Sequence, residues 1–307
     1  MASYSVIIPV YNEEKNVQPL HERLTRVLQP LGPYELLFIN DGSRDGTLTA
    51  VKQLAETDPA VKYIDFSRNF GHQVAVTAGL NFCKGDRIVI IDADLQDPPE
   101  LIATMDAKLN EGWNVVYAKR NARQGESFFK KITAKLFYRI LARVTSISIP
   151  VDTGDFRLMD RKVVKALNQM PEHHKFIRGM VSWVGFKQTF VLYDRQERLS
   201  GKTGYTLRKM LRFALDGITG FSNLPLKLAS YFGFFVSFLS SLLILYTLYS
   251  KYILQEALPG WASIMVSILF IGGIQLICLG LIGEYLIRMD ANLRQRPLYV
   301  VNESNLD

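Results

Sequence analysis

The stretch IVIIDADLQDPPE (Ile88–Glu100) runs four β-favouring apolar residues straight into three acidic side chains and a Pro-Pro pair. An apolar run of this length, closed by turn-forming residues, reads as a strand buried on both faces. Its end is harder to explain, because Asp92, Asp94 and Asp97 crowd where the chain leaves the core. Asp92 and Asp94 are two apart, so on an extended strand end their carboxylates point to one side, and Gln96 continues the row if the backbone stays extended. Without a cation such carboxylates repel one another and at least one pKa rises. Oxygen donors of this kind suit Mg²⁺ or Mn²⁺, which take one or two carboxylates plus substrate phosphates. Asp97, followed by Pro98 and Pro99, reads instead as a cap or turn into a helix beginning near Glu100. An exposed acidic turn without a ligand is the competing interpretation.

Working outward, apolar runs at 5–10 (SVIIPV), 35–40 (ELLFIN), 61–66 (VKYIDF), 87–92 (RIVIID) and 114–119 (NVVYAK) alternate with helical patterns such as Val17–Leu28, Thr47–Ala55 and Glu100–Leu109. Alternation of this kind predicts a doubly wound α/β domain with a mostly parallel sheet. Ligands in such sheets bind at the carboxyl ends of the strands. Polar clusters follow four of the runs: Pro9 to Glu14, Asn40 to Ser43, Ser67 to Gly71, and Asp92 to Asp94. Any one of them is an ordinary turn; four on one sheet edge predict a site.

The chain has 307 residues, enough for one or two domains, and a net charge of +7. Its two cysteines, Cys83 and Cys278, supply neither a disulfide framework nor metal-ligand spacing. The start, MASYSVIIPVYNEE, is not expected to act as a secretory signal. Composition changes near residue 228. No charge occurs from Leu228 to Ser250 or from Ala257 to Gly283, and each run exceeds the roughly 20 apolar residues that cross a bilayer. Two spans, about 228–250 and 260–284, are predicted to form a transmembrane hairpin. Lys202, Arg208, Lys209, Arg212 and Lys227 precede it and Arg288, Arg294 and Arg296 follow it, whereas the connector carries Lys251 against Glu256. The positive-inside rule then puts both termini and the α/β domain in the cytoplasm, on a multi-pass protein of the inner membrane.

The series VIIPVYNEE, INDGSRDGT, RNFG, DADLQDPPE and GDFRLM, with MPEHHKFIRGMVSWVG and FIGGIQLICLGLIGEYLIR, resembles the family 2 glycosyltransferases of the polyprenyl-phosphate type, the group that holds the bacterial bactoprenol glucosyltransferases and dolichol-phosphate mannose synthase. The resemblance covers nearly the whole chain. It implies a cytoplasmic GT-A domain at 1–204, interfacial amphipathic helices at 205–227, two transmembrane helices within 228–287 and a cytoplasmic tail at 288–307. It also implies a metal-dependent hexosyltransferase of cell envelope glycosylation, which moves one sugar with inversion from a nucleotide-sugar to a membrane polyprenyl phosphate. The subgroup favours UDP-glucose as donor, ahead of UDP-N-acetylglucosamine, UDP-galactose and GDP-mannose, and undecaprenyl phosphate as acceptor. Pro9, Tyr11, Glu13 and Asp41, with Asn69 and Gly71 nearby, would hold base and ribose. Asp92, Ala93 and Asp94 with Gln96 would handle metal and diphosphate, and Asp155 matches an additional active-site acid. Assembly of relatives through their helices implies a homo-oligomer, with a tetramer among the options.

The acceptor chemistry stands on its own physics. A phosphate monoester carries about −1.5 to −2 charges at pH 7, so its oxygen is already nucleophilic and a general base is not required. Asp155 is therefore assigned to orientation, with proton abstraction as the lesser option. Cations must gather the phosphate against the donor's charge. Arg120 follows the fifth run, and Lys131, Lys135, Arg139 and Arg143 recur every four residues, which aligns them on one helical face. A solvated surface helix explains the same spacing, but basic amphipathic helices also suit anionic lipid surfaces. No nucleic-acid partner is expected. Arg198, Ser200 and Lys202 lie in a loop that resembles the family's diphosphate-covering loop, although Gly204 stands where many relatives have lysine.

Two other functions stay open. A processive polysaccharide synthase shares the fold, but Trp113, Trp183 and Trp261 are all the tryptophans and none follows an arginine, so the QxxRW signature is missing. The other is a noncatalytic nucleotide-sugar-binding membrane scaffold.

Overall fold

Burial of alternate apolar stripes on both sides of a sheet organises the first two thirds of the chain. A computed structural model describes residues 3–121, 153–173, 175–193, 224–249, 253 and 260–306. Strands β1 (Tyr4–Val10), β2 (Tyr34–Asn40), β3 (Val61–Phe66) and β4 (Arg87–Ile90) alternate with helices α1 (Glu14–Leu28), α2 (Thr47–Thr57) and α3 (His72–Phe82). All four strands pair in parallel, β1 lying between β2 and β4. The chain thus steps from β1 outward to β3 and then returns to put β4 on the other flank of β1. That reversal is a topological switch point, where α/β sheets open a crevice at the strand ends.

Beyond β4 come α4 (Leu101–Asn110), β5 (Val115–Arg120), β6 (Thr153–Asp160), α5 (Arg161–Asn168), α6 (Ile177–Trp183) and β7 (Gln188–Tyr193). β6 inserts antiparallel between β4 and β5, and β7 pairs parallel to β5. Two long helices follow, α7 (Leu224–Tyr249) and α8 (Trp261–Leu293), and then β8 (Val301–Ser304), which pairs antiparallel with the edge of β3. The sheet order is β7-β5-β6-β4-β1-β2-β3-β8. The sheet is mixed, with four parallel and three antiparallel pairings among the described residues. The last residues, read from the sequence as a tail, are an edge strand of the α/β domain.

One face of the sheet carries Val6, Ile8, Leu36 and Phe38 against Val17, Leu20, Leu24 and Leu28 of α1 and Ile102, Met105 and Leu109 of α4. The α1 residues fall at the 3- and 4-residue steps of a single helical stripe. The other face carries Ile7, Leu37, Ile39 and Ile90 against Ala75, Val76, Ala78 and Leu80 of α3 and Val163, Val164 and Leu167 of α5. Such two-sided burial explains why these strands read as continuous apolar runs.

The two long helices bury almost nothing. Phe234, Phe238, Leu245, Leu276, Ile277 and Leu279 are all exposed. Within α8, Val266–Leu293 is long and apolar enough to cross a membrane by length and composition; the corresponding apolar stretch of α7, Ala229–Leu243, is shorter. At 1.5 Å per residue the 33 residues of α8 span about 50 Å, well beyond a hydrocarbon core of about 30 Å. Its far end reaches the α/β domain, where Asn292 Oδ1 accepts a 2.9 Å hydrogen bond from the His173 amide.

Candidate active site

The carboxyl ends of β1, β2 and β3 carry three loops that hold one another by side-chain bonds to backbone. The Asn12 amide donates to Ser43 Oγ (3.0 Å) and the Arg44 amide to Asn12 Oδ1 (2.8 Å), tying the β1 loop to the β2 loop. Asn12 sits at φ +56°, a left-handed conformation that asparagine tolerates better than most residues. The Glu13 amide donates to Thr47 Oγ1 (2.9 Å) at the start of α2. Asp41 joins the β2 loop to the β3 loop, its carboxylate accepting from the amides of Phe70 (2.6 Å) and Gly71 (3.0 Å). Burial pushes the Asp41 carboxyl above its usual value against the pull of those two amides. Gly42, at φ +66°, lets the loops close: a Cβ there would lie 2.5 Å from the Arg68 carbonyl carbon and 2.6 Å from the Asn69 nitrogen.

These contacts leave Tyr11 and Asn69 exposed at the rim and Glu13 half-buried. The rings and methyls of two other expected contacts are turned inward. Pro9 is buried within β1, in register with Ile39, and Ala93 is buried beside Ile91. Pro9 therefore shapes the strand end, and Ala93 faces the core with its side chain.

At the switch point the expectation of an extended acidic row gives way to a turn. β4 stops at Ile90, Leu95 adopts φ +58°, and the Gln96 amide donates back to Asp94 Oδ1 (3.1 Å). Gln96 is buried, so the turn, and not strand pleating, sets where Asp92 and Asp94 stand. Asp97 is buried and accepts a hydrogen bond from the Tyr193 hydroxyl at the end of β7, which makes it a structural residue.

β6 brings the remaining acid. Ile90 pairs with Arg157 in the antiparallel register, so two residues further along each strand Asp155 comes level with Asp92. His72, the first residue of α3, stands between them, with Nε2 3.1 Å from Asp155 Oδ2 and 3.7 Å from Asp92 Oδ1. Arg178 Nε of α6 donates to Asp155 Oδ1 at 2.9 Å, and Arg157 Nη2 reaches the same oxygen at 3.2 Å. Arg157 is completely buried over the Tyr117 ring, and its Nε donates to the Asp155 carbonyl.

The cluster sorts its carboxyls electrostatically. Burial raises the Asp155 carboxyl, but Arg178, the His72 hydrogen bond and Arg157 overcome it and hold the group well below the usual carboxylate range. Asp92 goes the other way: burial, followed by Asp155, Asp97 and Asp94, outweighs His72 and lifts it to about 6. For His72, burial opposes the charge, yet the Asp155 hydrogen bond and the two carboxylates raise it to about 9. Asp155 is thus a fixed anion and Asp92 is an acid short of positive partners. His72, Arg157 and Arg178 are functional candidates that sequence patterns did not single out, although Arg157 stands two residues from Asp155 in the quoted GDFRLM motif.

Asp92 and Asp94 offer hard oxygen donors, and burial with the neighbouring carboxylates raises the Asp92 carboxyl, a repulsion that a bound cation would relieve. Among the described residues no group of three or more His, Cys, Asp or Glu forms a closed metal cage. An open, oxygen-only site fits Mg²⁺ or Mn²⁺, which retain positions for phosphate oxygens. Arg120 is the last residue of β5; Lys131, Lys135, Arg139, Arg143, Arg198, Ser200 and Lys202 lie outside the described residues.

Comparison with known proteins agrees with this geometry. The M. tuberculosis glucosyl-3-phosphoglycerate synthase crystallised with Mn²⁺, UDP and phosphoglyceric acid shares the fold at a TM-score of 0.51 and 18% identity, over 71% of this chain and 76% of that one. The uncharacterized glycosyltransferase YkcC of Bacillus subtilis is 53% identical over 98% of this chain and 94% of its own length. The bactoprenol glucosyl transferase of Shigella phage SfV is 40% identical over 97% of each chain. Residues 224–289, which span α7 and most of α8, match the GtrB C-terminal hairpin. Residues 5–167, from β1 through α5 and including every acid of the switch point, match glycosyl transferase family 2, and to that family of sugar-transferring enzymes the chain belongs.

Proposed function

We propose that the protein transfers one glucose, with inversion, from UDP-glucose to the phosphate of a membrane polyprenol, undecaprenyl phosphate, and releases UDP. One juxtaposition carries the proposal: Asp92, Asp94 and Asp155 gathered at the switch point, in the same chain as two long helices whose described apolar side chains are largely exposed. Relatives of matching length named bactoprenol glucosyl transferase support it. In this reading α7 and α8 form a two-span hairpin in the inner membrane, with both chain ends and the α/β domain on the cytoplasmic side.

Tyr11, Glu13, Asn69 and Gly71 line the donor crevice, and Asp41 fixes the loop that carries Asn69 and Gly71. Asp92 and Asp94 would hold Mg²⁺ or Mn²⁺, the cation that neutralises the departing diphosphate. Asp155, held ionised by two arginines and His72, is a poor proton acceptor at neutral pH. Its role is to orient His72 and Arg178, the partly exposed cations of the cluster, toward the incoming phosphate, which needs no base. The basic residues Arg120, Lys131, Lys135, Arg139, Arg198 and Lys202, with the Ser200 hydroxyl, are assigned to the two phosphates and the lipid surface, and the protein to a homo-oligomer.

The test is a donor panel: purified full-length protein, undecaprenyl phosphate, Mg²⁺ or Mn²⁺, and radiolabelled UDP- and GDP-sugars. A single-sugar lipid from UDP-glucose is expected. Label appearing only in long polymer, or no transfer from any donor, contradicts the proposal.

A further inference from the structure

The chain leaves α8 and, after Arg294–Val300, joins the sheet as β8. That edge strand is irregular. Asp65 aligns with Glu303 but Phe66 aligns with Val301, so the register slips by one residue and Asn302 is the extra one. A bulge re-aims the side chain it carries. Here the side-chain Nδ2 of Asn302 donates to Asp65 Oδ2 at 2.9 Å. Asp65 is buried, and its other oxygen accepts from the side-chain Nδ2 of the buried Asn40 at 2.6 Å. Asn40 Oδ1 in turn accepts from the Ser43 amide (3.4 Å), and Ser43 Oγ holds the Asn12 amide.

A second line of contacts runs from the same segment to the β3 loop. Tyr299 stacks on Phe66 (centroids 5.0 Å apart, planes at 17°), and Phe66 meets Phe70 edge-on at 5.7 Å. The Ser67 amide donates to the Val300 carbonyl at 3.0 Å, and the Phe70 amide is one of those that Asp41 grips. Tyr299 to Asn302 therefore reaches the β3 loop, which carries Asn69 and Gly71, directly through Ser67 and Phe66, and the β2 loop, which carries Asp41, through Asp65 and Asn40.

We propose that Asn302 is a positioning residue of the donor site. Through Asp65 and Asn40 it sets the β2 loop, so nucleotide affinity depends on how the second long helix delivers β8 to the sheet. The physical reason is the buried carboxylate. Removing Asn302 leaves an Asp65 oxygen without its amide, and the cheapest repair is for Asp65 to turn toward other partners, releasing Asn40 and the Ser43 turn. The inference rests on the donor crevice proposed above.

Full-length wild type, Asn302→Ala, Asn302→Asp and the reciprocal pair Asp65→Asn with Asn302→Asp test it. UDP binding with Mn²⁺ is read by calorimetry, and KM for UDP-glucose and for undecaprenyl phosphate by turnover. Asn302→Ala should weaken UDP binding about tenfold and raise the UDP-glucose KM to match, consistent with loss of one hydrogen bond to a charged group. Its kcat and acceptor KM should stay within about twofold. Asn302→Asp, which sets like charges face to face, should weaken UDP binding further, and the reciprocal pair should recover most of the loss, since it restores one amide against one carboxylate. Unchanged UDP affinity in both single variants overturns the inference, as does a loss shared equally by kcat and both KM values, or a reciprocal pair no better than Asn302→Asp. Wild type that binds no UDP removes the donor reading and this inference together, whereas wild type that binds it beside unaffected variants removes only the inference.

Discussion

The parallel half of the sheet and the half that begins at β6 present their functional groups by different means. On the β1 to β3 side, loops are fixed by backbone amides donating to side-chain oxygens of Asn12, Asp41, Ser43 and Thr47, and a left-handed glycine allows them to touch. On the β6 side one acid is fixed by charge: Asp155 is set by Arg157, Arg178 and His72, largely out of water. The first arrangement yields exposed side chains around a crevice. The second yields a permanent anion beside an acid that has been left protonatable. Asp92 and Asp94 stand on the seam, which is where a cation and a diphosphate are needed.

The largest effect should come from the seam itself. Asp94→Asn keeps the shape and removes the charge, and kcat should fall on the order of 10³-fold with thermal stability and membrane insertion unchanged; metal-dependent turnover near wild type would place the ligand elsewhere. The charge-held half should respond through stability. Arg157→Leu removes one of three cationic partners of Asp155 and leaves Arg178 and His72 in place, costing about 1–3 kcal/mol, so thermal unfolding in detergent should begin a few degrees lower, by roughly 2–4 °C per kcal/mol. A variant as stable as wild type would mean that Asp155 finds its partners in solvent. In the loop-held half, Gly42→Ala forces a Cβ against the β3 loop at a conformation costing about 1–2 kcal/mol. UDP affinity should drop about tenfold while the melting temperature moves little, and the reverse pattern would erase the contrast between halves.

Acid titration sharpens the same contrast. The Asp92 carboxyl is raised from 3.8 to about 6, so between those values the folded protein keeps a proton that the unfolded chain has lost. For this group alone, metal-free stability falls as pH rises through that window. Mn²⁺ must displace the proton, so its affinity, followed by electron paramagnetic resonance, should weaken progressively as pH falls below about 6. Affinity flat from pH 7 to 5 would exclude Asp92 as a ligand. The smallest effect is expected of the basic segment, where Lys131→Gln with Arg139→Gln should raise the acceptor KM severalfold and leave the donor KM alone; a change confined to the donor would reassign those cations.

The same division decides what could be read from the sequence. The parallel half is built of consecutive strand and helix units, so Tyr11, Asp41 and Asp92 each follow an apolar run and its topology makes them neighbours. β6 gave no such signal, because Asp155 and Arg157 interrupt its apolar pattern and are buried by pairing with each other. Its place beside β4 comes from a chain reversal more than 60 residues away in sequence, so Asp155 entered the site through the family resemblance alone, and His72, Arg157 and Arg178 gave no sign of joining it. β8 was hidden for another reason: four residues with three polar side chains at the end of a charged segment look like a tail until β3 offers an edge. The acidic row after β4 was misjudged at Leu95, where a left-handed turn replaces extension.

The measurement that bears most directly on the proposed reaction is the mass and anomeric configuration of the lipid formed by full-length protein from undecaprenyl phosphate, UDP-glucose and Mn²⁺. One hexose per lipid phosphate, β-linked after inversion of the α-linked donor, is the predicted product. An α-linked product, several hexoses per lipid, or glucose released into water with no lipid product would contradict it.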